Sequence, residues 1–71
     1  MTLHEAIKAV LRKSRSELST KEIAFQINRL KLYKRGDGKE IPAGQISARI
    51  NRYLNYFRKL DNQRPYKYTL N

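Results

Sequence analysis

The chain has 71 residues, no cysteine and a net charge of +10, from sixteen Lys and Arg against six Asp and Glu. That length allows one small domain spanning 1–71, close to the margin of stability, and leaves self-association open as a source of extra stability. The absence of cysteine excludes disulfides and thiolate metal sites and fits a reducing compartment. The charge favours a polyanion: nucleic acid first, an anionic membrane or an acidic protein second. No apolar run approaches the roughly 20 residues that span a bilayer. The opening MTLHEAIKAVLRK lacks the apolar core of a signal peptide. The expectation is a soluble, cytoplasmic protein with no membrane partner.

In chain order, Thr2 and Glu5 predict a capping box, in which hydroxyl and carboxylate satisfy free amides at a helix start. Leu3, Ala6, Ile7, Val10 and Leu11 then share one helical face, and RKSRSE ends the element. Ser19 and Glu22 repeat the cap signal, with Leu18 and Ile23 spaced as a hydrophobic staple. Ile23, Ile27 and Leu30, with Ala24 beside them, form the buried stripe of the second helix. Phe25 and Leu32 project to the other side. YKRGDGKEIP reads as a basic loop, its glycines and proline marking turns.

QISARINRYLNYF, Gln45–Phe57, predicts a third helix. At about 100° per residue, Ile46, Ile50, Tyr53, Leu54 and Phe57 face the core. Gly44, Gln45, Ala48, Asn51, Arg52 and Asn55 face away, with Arg49 at the border. Pro42 belongs at or just before the first turn. Tyr66, Tyr68 and Leu70 then alternate with Lys67 and Thr69, a strand period. DNQRP, Asp61–Pro65, supplies a turn to a short partner strand at Phe57–Leu60.

This order predicts a mostly α fold with a small β hairpin: a winged helix-turn-helix, three helices followed by a C-terminal wing. In such domains the third helix enters the major groove of DNA. From Ile41 onward the basic residues are Arg49, Arg52, Arg58, Lys59, Arg64 and Lys67, and the one acid is Asp61. Base edges are assigned to Gln45, Ala48, Arg49, Asn51, Arg52 and Asn55, since arginine pairs with guanine and the amides with adenine. Phosphates are assigned to Lys34, Arg35 and Lys39 of the loop and to Arg58, Lys59, Arg64 and Lys67 of the hairpin. A polar helix face is most often only solvated. Asparagine is a weak helix former, however, so Asn51 and Asn55 are not explained by helix stability.

The sequence also resembles the HARE-type helix-turn-helix domains in their bacterial version. This winged-helix family occurs in bacterial restriction enzymes, the delta subunit of bacterial RNA polymerase and some eukaryotic chromatin proteins. TLHEAIKAVLRK, LSTKEIAFQI, LYKRGDGKEIPAGQISARINRY and YKYTL fall in the family's order over nearly the whole chain. Glu17 stands where a proline is common, and the hairpin lacks the glycine often seen before the final strand; both departures bear on the wing's shape. The resemblance implies DNA binding; the expected setting is transcription or restriction, with association with the nucleoid if DNA is bound.

A second reading, from a different class, is a protein-interaction module or homodimer. It would dock an acidic partner or use Phe25, Leu32 and Tyr33 as an interface. Catalysis is not expected, and no cofactor or small-molecule substrate is assigned. His4, the one histidine, reads as a boundary residue rather than a metal ligand or base. RGD at Arg35–Asp37 reads as a chance tripeptide and DGK at Asp37–Lys39 as turn chemistry. Tyr53, Tyr66 and Tyr68 read as core or core-edge residues. Tyr33 and Tyr56 remain available to stack on unpaired bases.

Overall fold

The structure, a computed structural model, describes every residue except Asp61 and Gln63. The turn expected over 61–65 therefore lies partly outside the described residues. Three helices, α1 (Leu3–Ser14), α2 (Thr20–Leu30) and α3 (Ala43–Arg52), precede the strands β2 (Phe57–Leu60) and β3 (Lys67–Leu70). A two-residue strand β1 (Leu18–Ser19) lies between α1 and α2. The sheet is antiparallel in the order β1-β3-β2. The expected winged helix-turn-helix architecture is thus present, its wing extended by a third strand. Among the described residues, no helix is long and apolar enough to cross a membrane.

Both capping boxes form. The Glu5 amide donates to the Thr2 hydroxyl at 3.3 Å, and the Thr2 amide donates to the Glu5 carboxylate at 2.8 Å. Ser19 and Glu22 repeat this at 3.3 and 2.9 Å. The donated amide hydrogen bonds, from Thr2 and Ser19 respectively, are the largest cause holding each carboxyl below its ordinary value. Hydrogen bonds to the charged form favour it.

The core joins all three helices to the sheet. Leu3, Ile7, Ile23, Ile27, Ile46 and Ile50 are fully buried, and Ile41, Phe57 and Tyr68 complete the cluster. Each large side chain buried in this way contributes about 1.5–3 kcal/mol. Ile41 comes from the end of the loop. It is held there by Asn28 of α2, whose side-chain amide donates to the Ile41 carbonyl at 3.1 Å and whose side-chain oxygen accepts the Ile41 amide at 2.9 Å.

Three expectations about the helices need correction. The third helix stops at Arg52 rather than continuing to Phe57, because Tyr53 leaves helical geometry (φ −125°, ψ 49°). The Tyr56 amide closes a tight turn on the Tyr53 carbonyl at 2.9 Å. Leu54, expected in the core, is therefore 56% exposed, while Phe57 is buried from a strand. Asn71 satisfies the turn: its amide donates to Tyr56 at 3.0 Å and its side chain to the Asn55 carbonyl at 3.2 Å.

Leu32 is the second correction. Lys31 takes a left-handed conformation (φ 54°), and the Leu32 amide bonds back to the Ile27 carbonyl at 3.1 Å. This helix-ending motif brings its last apolar residue back toward the helix, so Leu32 packs on the core rather than projecting away. Leu30, expected in the buried stripe, is only half-buried.

Two outcomes follow. Asn28→Ala should destabilise the domain by about 1–3 kcal/mol, because it strips partners from part-buried backbone groups; the urea midpoint should fall with an unchanged m-value. The second concerns acid. Both glutamates have folded values lowered from about 4.5. Their contribution is therefore complete above that value and lost as pH falls through the folded one. Thermal midpoints should hold from pH 7 to 5 and drop below about 4.5, with a shallower acid limb in Glu5→Gln/Glu22→Gln.

Candidate nucleic-acid interface

The register of α3 follows from its buried residues. With Ile46 and Ile50 inside, Gly44, Ala48, Asn51 and Arg52 are exposed, and Gln45, Ser47 and Arg49 are half-buried. Gly44 and Ala48 lie one turn apart on that exposed side, and nothing stands within 4 Å of where a Gly44 side chain would begin. A flat-sided body can approach this part of the helix closely. Asn55, expected on the same helical face, is exposed but lies in the turn beyond the helix end.

Charge is distributed along α3 in one sense. Its first turn carries no acid and Pro42 makes no side-chain cap, while Arg49 and Arg52 occupy the last turn. The arginines complement the negative end of the helix dipole. The uncapped end leaves first-turn amides to solvent or an anion.

The wing meets α3 across an open cleft of about 380 Å³, lined by Thr20, Ser47, Arg64, Pro65, Tyr66 and Tyr68. Tyr66 organises the cations beside it. The Lys59 ammonium stands 4.1 Å from the centre of its ring and the Arg64 guanidinium 5.5 Å away. Such contacts hold a cation by the ring's quadrupole, worth about 0.5–1 kcal/mol at exposed sites.

Strand register divides the expected hairpin cations into two groups. Lys59 is opposite Tyr68, on the face that packs toward the helices; Arg58 is opposite Thr69 and Lys67 opposite Leu60, on the other face. Side chains directly opposite share a face. Arg64 lines the cleft with α3 and Lys59 reaches it only through its contact with Tyr66, whereas Arg58 and Lys67 lie on the opposite face of the sheet. Lys67 also acts on Glu22, adding to the pull that the Ser19 amide exerts on that carboxyl.

In the α2–α3 loop, Lys34 and Lys39 are exposed, but Arg35 is occupied. Its guanidinium pairs with Asp37 at 2.9 Å and donates to the Glu40 carbonyl at 3.3 Å. The Lys39 amide donates to the same Asp37 carboxylate at 3.0 Å. Asp37 thus shapes the turn.

One constellation was not anticipated. His4 stacks on Tyr53 with ring centres 4.2 Å apart, and Tyr56 lies nearly parallel, 6.1 Å from His4 and 5.9 Å from Tyr53. Lys8 stands 4.3 Å over the Tyr56 ring. The stack ties the start of α1 to the end of α3, across a sequence separation that no local spacing could reveal. The only signal was the concentration of tyrosines after Arg52. Of the residues expected to form an interface, Phe25 is 61% exposed, while Leu32 and Tyr33 pack partly against the core. Among the described residues, no group of three or more His, Cys, Asp or Glu could hold a metal ion.

No curated protein and no solved structure shows significant similarity to the chain. A family model does match, over residues 1–70: HARE-HTH, the ASXL and restriction endonuclease HTH domain. With the helix-turn-helix and wing in place and the match covering nearly all of its length, the chain belongs to the HARE-HTH family of DNA-binding helix-turn-helix domains.

Proposed function

We propose that this domain binds double-stranded DNA without catalysis, laying α3 in the major groove with the wing and loop on the phosphates. The observation that carries this reading is the arrangement around the cleft. An acid-free helix face with Arg49 and Arg52 at its end borders a wing edge where Tyr66 holds Lys59 and Arg64. Gln45, Asn51 and Arg52 read base edges, Arg49 and Asn55 flank them, and Ala48 offers a methyl contact to thymine. Lys59 and Arg64 hold the backbone on the wing side, and Lys34 and Lys39 hold it on the loop side. Arg35, Arg58 and Lys67 contribute less, the first because it is paired and the others because they lie on the far face of the sheet. A bacterial transcription or restriction setting, at the nucleoid, follows from the family resemblance.

A second reading is supported by Phe25, an aromatic side chain left 61% exposed on a helix that otherwise completes the core. On this reading α2 docks a second copy or another protein. Phe25→Asp should then lower the mass eluting from size exclusion at high protein concentration; an unchanged elution would remove the reading.

The leading reading predicts binding that weakens steeply with salt, by a log–log slope of about −0.9 per phosphate engaged. Arg52→Ala should cost about 1–3 kcal/mol on a preferred site and flatten sequence preference. Arg64→Ala should weaken all duplexes alike and reduce the slope by about one phosphate, with Lys67→Ala affecting both less. Fluorescence anisotropy across a salt series decides these outcomes. A flat salt dependence would sink the DNA reading.

A further inference from the structure

The loop between α2 and α3 encloses an open concavity of about 370 Å³, apart from the cleft between α3 and the wing. Its volume lies within the roughly 300–1,000 Å³ of small-ligand sites. Lys31, Lys34, Arg35 and Lys39 line it, against one acid, Glu40. Arg35 is spent on Asp37, but Lys31, Lys34 and Lys39 make no ion pair among the described residues.

Three features distinguish this cup from a solvated loop. Its backbone is fixed: the Gly38 amide donates to the Arg35 carbonyl at 3.0 Å, Asp37 accepts the Lys39 amide, and Asn28 clamps Ile41 at the loop's end. Gly38 adopts φ +75° with nothing within 4 Å of where its side chain would begin, so the rim is open to a ligand. Lys31 occupies a left-handed position (φ 54°) where glycine or asparagine is easier to place. The fold thus holds three like charges around one hollow, with Glu40 the one acid on its rim and none of the three lysines in an ion pair among the described residues.

We infer that this loop is a phosphate-binding cup, in which Lys31, Lys34 and Lys39 surround the oxyanion and Asn28 acts as a positioning residue. Lysine ammonium groups serve phosphate as mobile point charges. The phosphate comes either from a nucleic-acid backbone or from a free phosphate compound. The backbone is favoured, because three Cα-to-Cα steps, at most roughly 11 Å, link Glu40 to the start of α3 at Ala43. Only that choice of source rests on the DNA-binding reading; the cup itself does not.

The test uses the whole chain and inorganic pyrophosphate at low salt, followed by amide chemical shifts. The expected result is a saturating shift of Lys31, Gly38 and Lys39. It should be lost in Lys31→Ala/Lys39→Ala and kept in Arg12→Ala/Lys13→Ala, which removes the same charge from α1. Thermal midpoints of both variants check that the fold persists. Shifts that grow linearly over all basic residues, or that vanish equally in both variants, overturn the cup. A parallel salt series with duplex DNA identifies the source. A log–log slope reduced by about 0.9 in the loop variant, but not in the control, assigns a backbone phosphate. Equal slopes beside a saturable pyrophosphate site assign a free phosphate compound. Were duplex not bound at all, the DNA reading would fail, and the pyrophosphate result would still decide the cup.

Discussion

The ten residues of α3 carry two obligations at once. Ile46 and Ile50 are fully buried and complete the core against α1 and α2. That burial fixes the rotation of the helix about its own axis, and with it the direction in which Gly44, Ala48, Asn51 and Arg52 face. The outward surface is not independently adjustable, because side chains on a helix keep their angular spacing. The face that α3 presents is therefore set by the depth and register of two isoleucines.

Both ends of this short helix are braced by polar contacts. Ahead of it, Asn28 pairs with both backbone groups of Ile41, as a neighbouring strand would. Behind it, Asn71 satisfies carbonyls of the turn that lets the chain leave α3 for the wing. His4 stacked on Tyr53 adds an aromatic brace from α1. These contacts matter in a chain of this size, where the core alone supplies a narrow margin. They also limit the freedom of α3, since both of its ends are tied to other parts of the fold.

The sixteen Lys and Arg of the sequence are not equivalent once folded. Arg35 is spent on its own turn, Lys67 adds a weak pull on the Glu22 carboxyl, and Lys8 rests on Tyr56. Lys59 and Arg64 are held against Tyr66 beside α3. Net charge describes long-range attraction to a polyanion. Which cations can make a short contact depends on strand register and on the few acids available to pair with them.

Much of this was legible in the chain because it is local. Thr2 with Glu5 and Ser19 with Glu22 form caps three residues apart, and the apolar face of α1 repeats at helical spacing; these needed only the geometry of one turn. The same local logic misread the segment after Arg52. Tyr53, Leu54 and Phe57 fit a helical period, yet Phe57 serves the core as well from a strand, and pairing with Leu70 settles the matter. Leu32 looked free until the left-handed Lys31 turned it inward. Leu18 and Ser19 looked like a staple and a cap, and only the arrival of β3 made them a strand as well. Sequence by itself determined the elements, their caps and the excess of basic charge, since each depends on neighbours within a turn or on a sum over residues. Tertiary structure alone decided where α3 ends, how the cations are sorted and which loop is rigid, since those depend on contacts between segments far apart in the chain.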